Sequence, residues 1–252
     1  MDGFDFLGFN VRRYRTWRGG KVLIKPSKDA VNRIRQRLSD EMRSLRGADP
    51  MMIISRLNPI IRGWAAYYRP GVSSKIFSSL DDYMWGVLYR WTRRRHPTKP
   101  RYWINSRYFG RFHPARQDKW VFGDRVTGAH LHKFCWTNIV RHALVKHAAS
   151  PDDPALTQYW AERRRRRPPP GLSPSLAAGI RAQRGRCPLC GEFLLHVAHE
   201  PNSPGQWERW FTAIRVAITR QVISTSNRDA PDEQRRLIHT HCHRRYPTGP
   251  EG

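Results

Sequence analysis

The pattern of apolar and polar positions predicts three consecutive helices in the first half of the chain. Apolar side chains recur every three or four residues over residues 27–46, after a cap at Pro26-Ser27. A second apolar stripe follows Asp49-Pro50, and Pro59 within it predicts a kink. A third stripe begins at Ser73 or Ser74. Three such faces can share one core, so the sequence predicts a helical bundle.

The segments around these helices have other patterns. Residues 4–11 and 21–25 alternate loosely around Gly19-Gly20, which predicts a short β-hairpin. After residue 97 the periodicity gives way to short aromatic pieces separated by Gly, Pro and Arg, which predict loops and short strands. From residue 151 the chain is rich in proline and arginine, and it contains five consecutive arginines, Arg163 to Arg167. This composition predicts an extended linker.

Two pairs of candidate metal ligands lie in the last quarter of the chain. Cys187 and Cys190 are separated by two residues, and His239 and Cys242 have the same gap. Two such pairs predict a tetrahedral zinc site, because thiolate and imidazole are the donors that zinc prefers. His241 and His243 remain alternatives to His239, and buried thiols without a metal remain the alternative to a metal site. The sequence therefore predicts a structural zinc ion near the C-terminus.

The charge of the chain points to a polyanionic partner. Among 252 residues, 46 Lys and Arg face 20 Asp and Glu, which gives a net charge of +26. Such an excess destabilises a folded chain by self-repulsion unless an anion binds. No stretch approaches the roughly 20 apolar residues of a spanning helix, and Met1 begins no signal segment. We therefore expect a nucleic-acid-binding protein in the cytoplasm, associated with the nucleoid or with RNA.

Basic side chains lie opposite the apolar stripes of the predicted helices, with aromatic residues among them. Arginine pairs with phosphate in a bidentate way and stacks on bases, which suits irregular RNA. The alternative is a solvated basic face above a core that contains the aromatic residues. The scarcity of acids favours RNA binding. The candidate RNA-binding residues are Arg33, Arg37, Arg62, Trp64, Tyr67, Tyr68, Arg69, Lys75, Arg90, Arg93, Arg94 and Arg95.

Residues 58–69, together with Phe6-Leu7-Gly8-Phe9 and Lys25-Pro26-Ser27, resemble the maturase-specific domain, or domain X, of group II intron-encoded reverse transcriptases. The resemblance implies a helical thumb and maturase bundle that binds group II intron RNA and assists its splicing or mobility. In that family the paired polymerase aspartates precede the motif that Phe6-Leu7-Gly8-Phe9 resembles. Only Asp2 and Asp5 precede Phe9 here. We therefore expect no polymerase activity, unless a separate chain supplies the palm.

The C-terminal segment resembles an HNH endonuclease module, in which zinc pairs hold a ββα-metal motif. The resemblance implies that Cys187, Cys190, His239 and Cys242 bind zinc. It also implies that His199, Asn227 and His243 act in a nuclease with Mg²⁺ or another divalent ion. The adjacent histidine pair usual in this family is replaced by Ala198-His199, and Asp232-Glu233-Gln234 stands where the asparagine is expected. A surface histidine and a turn asparagine are the alternatives. We therefore expect an incomplete nuclease, with DNA cleavage as the alternative function.

Together these interpretations predict a mainly α fold with a small N-terminal β-hairpin, short irregular aromatic segments and a C-terminal zinc-stabilised ββα-like module. The expected partners are group II intron RNA, with target DNA and a separate palm-bearing chain as further candidates. The predicted divisions are 1–26 for the remnant of the last reverse-transcriptase motif, 27–150 for the thumb and maturase domain, 151–182 for the linker and 183–252 for the zinc module.

Overall fold

The computed structural model describes residues 3–17, 19–141, 145, 149–150, 152–160, 172, 174–192, 194, 201–225 and 236–245. The chain divides into two compact units. The first comprises residues 1–142 and 201–209, and the second comprises residues 143–200 and 210–252. The arginine run of the predicted linker lies outside the described residues.

The three predicted helices are confirmed as α1 (Lys28–Ser44), α2 (Pro50–Tyr68) and α3 (Ser74–Arg95). Ser27 caps α1, since its Oγ accepts the backbone N–H of Ala30 at 3.1 Å. Pro50 occupies the start of α2, where its missing N–H costs nothing, and α2 continues through Pro59.

The core of the first unit lies between these helices. The hydroxyl of Tyr83 in α3 donates to the carbonyl of Arg35 in α1 at 3.0 Å, and the indole N–H of Trp91 donates to the carbonyl of Leu45 at 3.0 Å. Helices α1 and α3 therefore run side by side in the same direction, and α2 packs against α1. Completely buried side chains from all three helices fill the centre, among them Leu38, Leu57 and Leu80.

The N-terminal sheet has three antiparallel strands, β1 (Gly3–Phe6), β2 (Phe9–Thr16) and β3 (Gly19–Pro26), in that order. The predicted hairpin corresponds to β2 and β3. Strand β1 was hidden in the pattern because Leu7 and Gly8, which form its turn, lie within an apolar run. Both have positive φ, 48° and 81°, as tight hairpins require. A side chain at position 8 would also collide with the Tyr68 hydroxyl.

The aromatic segment after α3 is more regular than the sequence predicts. Residues Arg101–Tyr108 form helix α4, where we expected only loops and short strands. Ile104 and Tyr108 are buried one turn apart, so tertiary packing stabilises a helix too short to form alone. The predicted short strands are present as β4 (Phe109–Gly110) and β5 (Val121–Phe122), which pair antiparallel. A 3-10 helix then spans Phe134–Trp136.

Residues 201–209 pack against α2, although the sequence assigns them to the zinc module. A Cβ at Gly63 would lie 2.6 Å from the backbone nitrogen of Glu208 and 2.9 Å from the carbonyl oxygen of Pro204. Only glycine permits this approach of two backbones. The Glu208 carboxylate also pairs with Arg37 at 2.7 Å. The helix that contains this segment extends over Pro204–Gln221.

The second unit holds a helix, a hairpin and a short final helix. The first helix is Pro174–Ala182, the paired strands are β6 (Val222–Thr225) and β7 (Arg236–His239), and Thr240–Arg245 is helical. Its small core contains Cys187, Leu194, Leu237, Ile238 and Cys242.

None of the helices in the described ranges combines the length and apolar composition of a membrane span.

Candidate nucleic-acid interface and metal centre

Two of the predicted RNA-binding aromatic residues belong to the core. Trp64 and Tyr68 are only 5% and 3% exposed, and their ring centroids lie 4.3 Å apart. Tyr67 is half-buried, and its hydroxyl donates to the carbonyl of Leu7 at 3.0 Å. A buried ring cannot stack on a base, so the prediction that Trp64 and Tyr68 contact RNA was wrong. Their helical spacing reflects packing of α2, which was the alternative interpretation.

Several of the predicted arginines have structural partners. Arg37 pairs with Glu208, and Arg95 pairs with Asp49 at 3.1 Å while it also donates to the carbonyl of Ala48 at 2.8 Å. Arg62 and Arg69 are half-buried. The remaining candidates are exposed and form no ion pair with a carboxylate in the described part of the chain. They are Arg33, Lys75, Arg90, Arg93 and Arg94.

A cluster of cationic and aromatic side chains occupies the end of α3, the following loop and α4. Arg93 donates to the carbonyl of Lys99 at 3.0 Å. The Lys99 ammonium and the Arg107 guanidinium lie 5.4 and 5.8 Å from the ring centroid of Trp103. These distances are those of cation–π contacts. We call this cluster the α3–α4 patch, and its members are Arg93, Lys99, Arg101, Tyr102, Trp103 and Arg107.

The α3–α4 patch offers both charge and ring surface to solvent. Tyr102 is 75% exposed, and Arg101 lies 5.8 Å from the ring of Tyr89. Beside the patch, desolvation and the positive charges of Arg95, Arg107 and Lys99 lower the pKa of His96. The His96 ring, 2.7 Å from the Tyr108 hydroxyl, is therefore neutral at pH 7. The patch can contact phosphates through its cations and bases through Tyr102.

Sequence reasoning missed most of this patch. It identified Arg93, but it passed over Lys99, Arg101, Tyr102, Trp103 and Arg107, because apolar periodicity is lost after residue 97. The available signal was compositional. Within nine residues, three cations alternate with two aromatic side chains, which is typical of surfaces that bind single-stranded nucleic acid.

A group of histidines lies near Arg62 in the first unit. The rings of His113, His130 and His132 lie 4.9, 5.9 and 5.4 Å from that of Trp136. Burial and the charge of Arg62 lower the pKa of His132 to about 3. His132 is therefore neutral in the folded protein at pH 5 to 7 and cannot contribute positive charge to RNA binding there.

The neutral state of His132 predicts acid sensitivity. The pKa of His132 is about 6.5 in the unfolded chain and about 3 in the folded chain. Between these two pH values the unfolded chain binds a proton that the folded chain does not bind. The stability that this residue contributes is present above pH 6.5 and falls as the pH drops, by about 2 kcal/mol at pH 5. We expect His132→Gln to reduce the difference in unfolding free energy between pH 7 and pH 5 by that amount. Urea unfolding followed by tryptophan fluorescence measures it, and an unchanged difference would contradict the assignment.

The four predicted metal ligands come together in the second unit. One ligand atom from each of Cys187, Cys190, His239 and Cys242 lies within 4.8 Å of all the others. The Nδ1 atom of His239 is 3.4 Å from the Cys190 sulfur and 4.0 Å from the Cys242 sulfur. His241 is exposed and stacks on the ring of His239 at 4.9 Å. Of the two histidines, His239 is therefore the one in the cluster.

Local backbone geometry positions these ligands. The carbonyl of Cys187 accepts the N–H of Gly191 at 2.9 Å, and Gly191 has φ of 74°, so the chain turns tightly around the first pair. His239 ends β7 and Cys242 lies in the next helix, which brings the second pair to the same point. Cys187, His239 and Cys242 are all at most 5% exposed. Three sulfurs and one imidazole nitrogen form a donor set that can bind a metal ion.

His199 and Asn227 lie outside the described residues, and so does the side chain of His243.

Comparison with known families identifies the helical domain. Residues 31–109 match the family model described as group II intron, maturase-specific domain. The match extends from α1 through α4 and includes every residue of the α3–α4 patch. No curated protein matches the chain. Residues 31–109 of the chain are therefore similar to the maturase-specific domain of group II intron proteins.

Proposed function

We propose that the chain binds group II intron RNA through its maturase-specific domain and thereby assists splicing. The α3–α4 patch is the observation that carries this proposal, because it combines exposed cations with exposed ring surface. Such a function needs no catalytic side chain. It needs a rigid scaffold that fixes the spacing of phosphate and base contacts.

The charge of the matched domain supports this proposal. Residues 31–109 contain 16 Lys and Arg against five Asp and Glu. Three of those acids, Asp40, Glu41 and Asp49, form ion pairs within the domain. The cations of the patch have none of these acids as partners. Each phosphate that they neutralise would release counterions and favour binding.

Binding measurements with two RNAs test the proposal. We expect the chain to bind a folded group II intron RNA at least tenfold more tightly than double-stranded RNA of the same length at 150 mM salt. Fluorescence anisotropy at several protein concentrations gives both affinities. Equal affinities would indicate attraction by charge alone and would contradict a maturase role.

We also propose that the metal of the second unit is zinc. A set of three thiolates and one imidazole is typical of structural zinc sites, in which protein ligands fill all four positions. The burial of Cys187, His239 and Cys242 supports a closed site. Zinc would stabilise a core that otherwise contains few large apolar side chains.

A metal-dependent DNA endonuclease is the second candidate function. The strand pair and helix beside the metal cluster support it, and His199, Asn227 and His243 would carry it. Incubation of the chain with double-stranded DNA and Mg²⁺ tests it, and intact DNA at stoichiometric protein would rule it out. A DNA target, a separate palm-bearing chain and a cytoplasmic location stay predictions.

A further inference from the structure

A cavity of about 330 Å³ lies beside α3 in the first unit. Its volume falls in the range of small-molecule sites, about 300–1,000 Å³. Aromatic side chains from three different segments line it, among them Trp85, Phe109, Trp120 and Phe122. One wall belongs to the matched maturase domain, whereas Trp120 and residues 131–133 follow that domain in the chain. The cavity therefore exists only because the later segment folds back onto α3.

Hydrogen bonds fix this later segment in place. The Asp81 carboxylate accepts the backbone N–H groups of Phe134 and Cys135 at 2.7 and 3.0 Å. The Asn58 side chain accepts the N–H of His132 at 2.7 Å and donates to the carbonyl of His130 at 3.0 Å. These contacts order the wall of the cavity before a ligand binds, so binding would not carry the free-energy cost of ordering it.

Charged and polar side chains also line the cavity, namely those of Asp81, Asp82, Arg101, His132 and Lys133. Among these residues, Asp82 is exposed and negative, and Arg101 is exposed and positive. The Nε1 of Trp85 is buried, and no acceptor for its N–H exists among the described residues.

The aromatic groups have the arrangement of a stacking platform. Trp85 stacks on Tyr89 with centroids 5.2 Å apart and planes 6° apart, and Arg101 lies against the ring of Tyr89. Trp120 meets Trp85 edge to face, with centroids 6.3 Å apart, and it is 52% exposed. A half-exposed tryptophan at the entrance of a rigid aromatic cavity presents ring surface to an incoming planar group.

We propose that this cavity binds one unstacked nucleobase of the RNA. The inference rests on the proposed function, because it takes the ligand to be RNA. The base stacks against the tryptophan surface of the cavity. Arg101 belongs both to the cavity and to the α3–α4 patch, so it binds the phosphate of the same nucleotide.

The test compares variants of the full chain on two fluorescein-labelled 12-nucleotide single-stranded RNAs. One RNA has all its bases, and the other has the same backbone with abasic residues. Base stacking is worth about fivefold to 150-fold in affinity. We expect Trp120→Ala to weaken binding of the normal RNA about tenfold and to leave its salt dependence unchanged, because no phosphate contact is lost. Trp120→Phe keeps a ring and should stay within threefold of the unmodified chain.

Trp17→Ala is the matched control, because Trp17, in the turn between β2 and β3, is 86% exposed and does not line the cavity. This variant should bind both RNAs as the unmodified chain does. On abasic RNA, Trp120→Ala should have the same affinity as the unmodified chain. Thermal melting shows whether each variant is folded, and Trp120→Leu, which also lacks a ring, replaces Trp120→Ala if the alanine variant folds poorly.

Two results would overturn the inference, and they are distinguishable. If RNA binds and depends on the cations of the patch, but Trp120→Ala behaves as Trp17→Ala, only the base-binding cavity is wrong. A cavity that takes an apolar peptide side chain would give this result. If the unmodified chain binds neither RNA nor the intron RNA, the proposed function fails together with the cavity.

Discussion

Replacing Cys242 by serine is expected to release the metal and unfold the hairpin and helices around it. Binding of zinc to such sites supplies about 10–16 kcal/mol of apparent folding free energy in small domains, far more than the small core of this unit can provide. Cys242 is 3% exposed and packs with Leu237 and Ile238, so its loss removes a ligand at the centre of that core. Elemental analysis should show one zinc per unmodified chain and almost none in the variant.

Cys135→Ser is the matched control, since Cys135 is the free cysteine outside the metal cluster. It should retain the zinc. Limited proteolysis should then cut Cys242→Ser within residues 174–245 while residues 28–140 stay protected, because α1 to α3 have a core of their own. Equal zinc content in both variants would show that the four residues do not form the metal site.

The second large effect concerns RNA binding by the α3–α4 patch. The triple substitution Arg93→Gln, Lys99→Gln and Arg107→Gln should weaken binding to a group II intron RNA about 100-fold or more at 150 mM salt. Three lost phosphate contacts should also lower the slope of log affinity against log salt concentration by about three. Anisotropy titrations between 50 and 300 mM salt measure both quantities.

The control for this experiment removes the same charge elsewhere. Arg37→Gln, Arg43→Gln and Arg56→Gln together neutralise three arginines that already pair with Glu208, Asp40 and Glu41. Since these carboxylates reduce the attraction of phosphate, the slope should fall by less than one. If both triple variants lose the same affinity and the same slope, binding depends on net charge and the patch has no special role.

The helical bundle could be predicted from the sequence because its signals are local. Ser27, Pro50 and the apolar stripes specify α1, α2 and α3 without reference to the rest of the chain. The metal cluster could be predicted for a similar reason, because the two-residue gap within each pair is typical of metal ligands. The hairpin that ends at His239 brings the second pair of ligands to the first, and the ligand spacing alone does not show this.

The rest could not be predicted because it depends on contacts between distant residues. Trp64 and Tyr68 appeared to be surface aromatics among arginines, yet both are buried. Trp64 packs against Phe77 and Phe134, and Tyr68 packs against Phe9. Helix α4 is too short to be recognised without the core that covers Ile104. The cavity beside Trp85 depends on Asp81 holding residues 134 and 135, more than 50 positions away. Nothing in the local pattern of either segment indicates that contact.

Crosslink mapping would identify the surface of the chain that contacts intron RNA. A group II intron RNA that contains 4-thiouridine should be irradiated with the full chain, and the crosslinked peptides should be identified by mass spectrometry. Our account predicts that most crosslinks fall within residues 85–107, with Tyr102 or Trp103 among the modified residues. Crosslinks confined to residues 174–245, with none in α3 or α4, would show that the maturase-specific domain is not the RNA-binding surface.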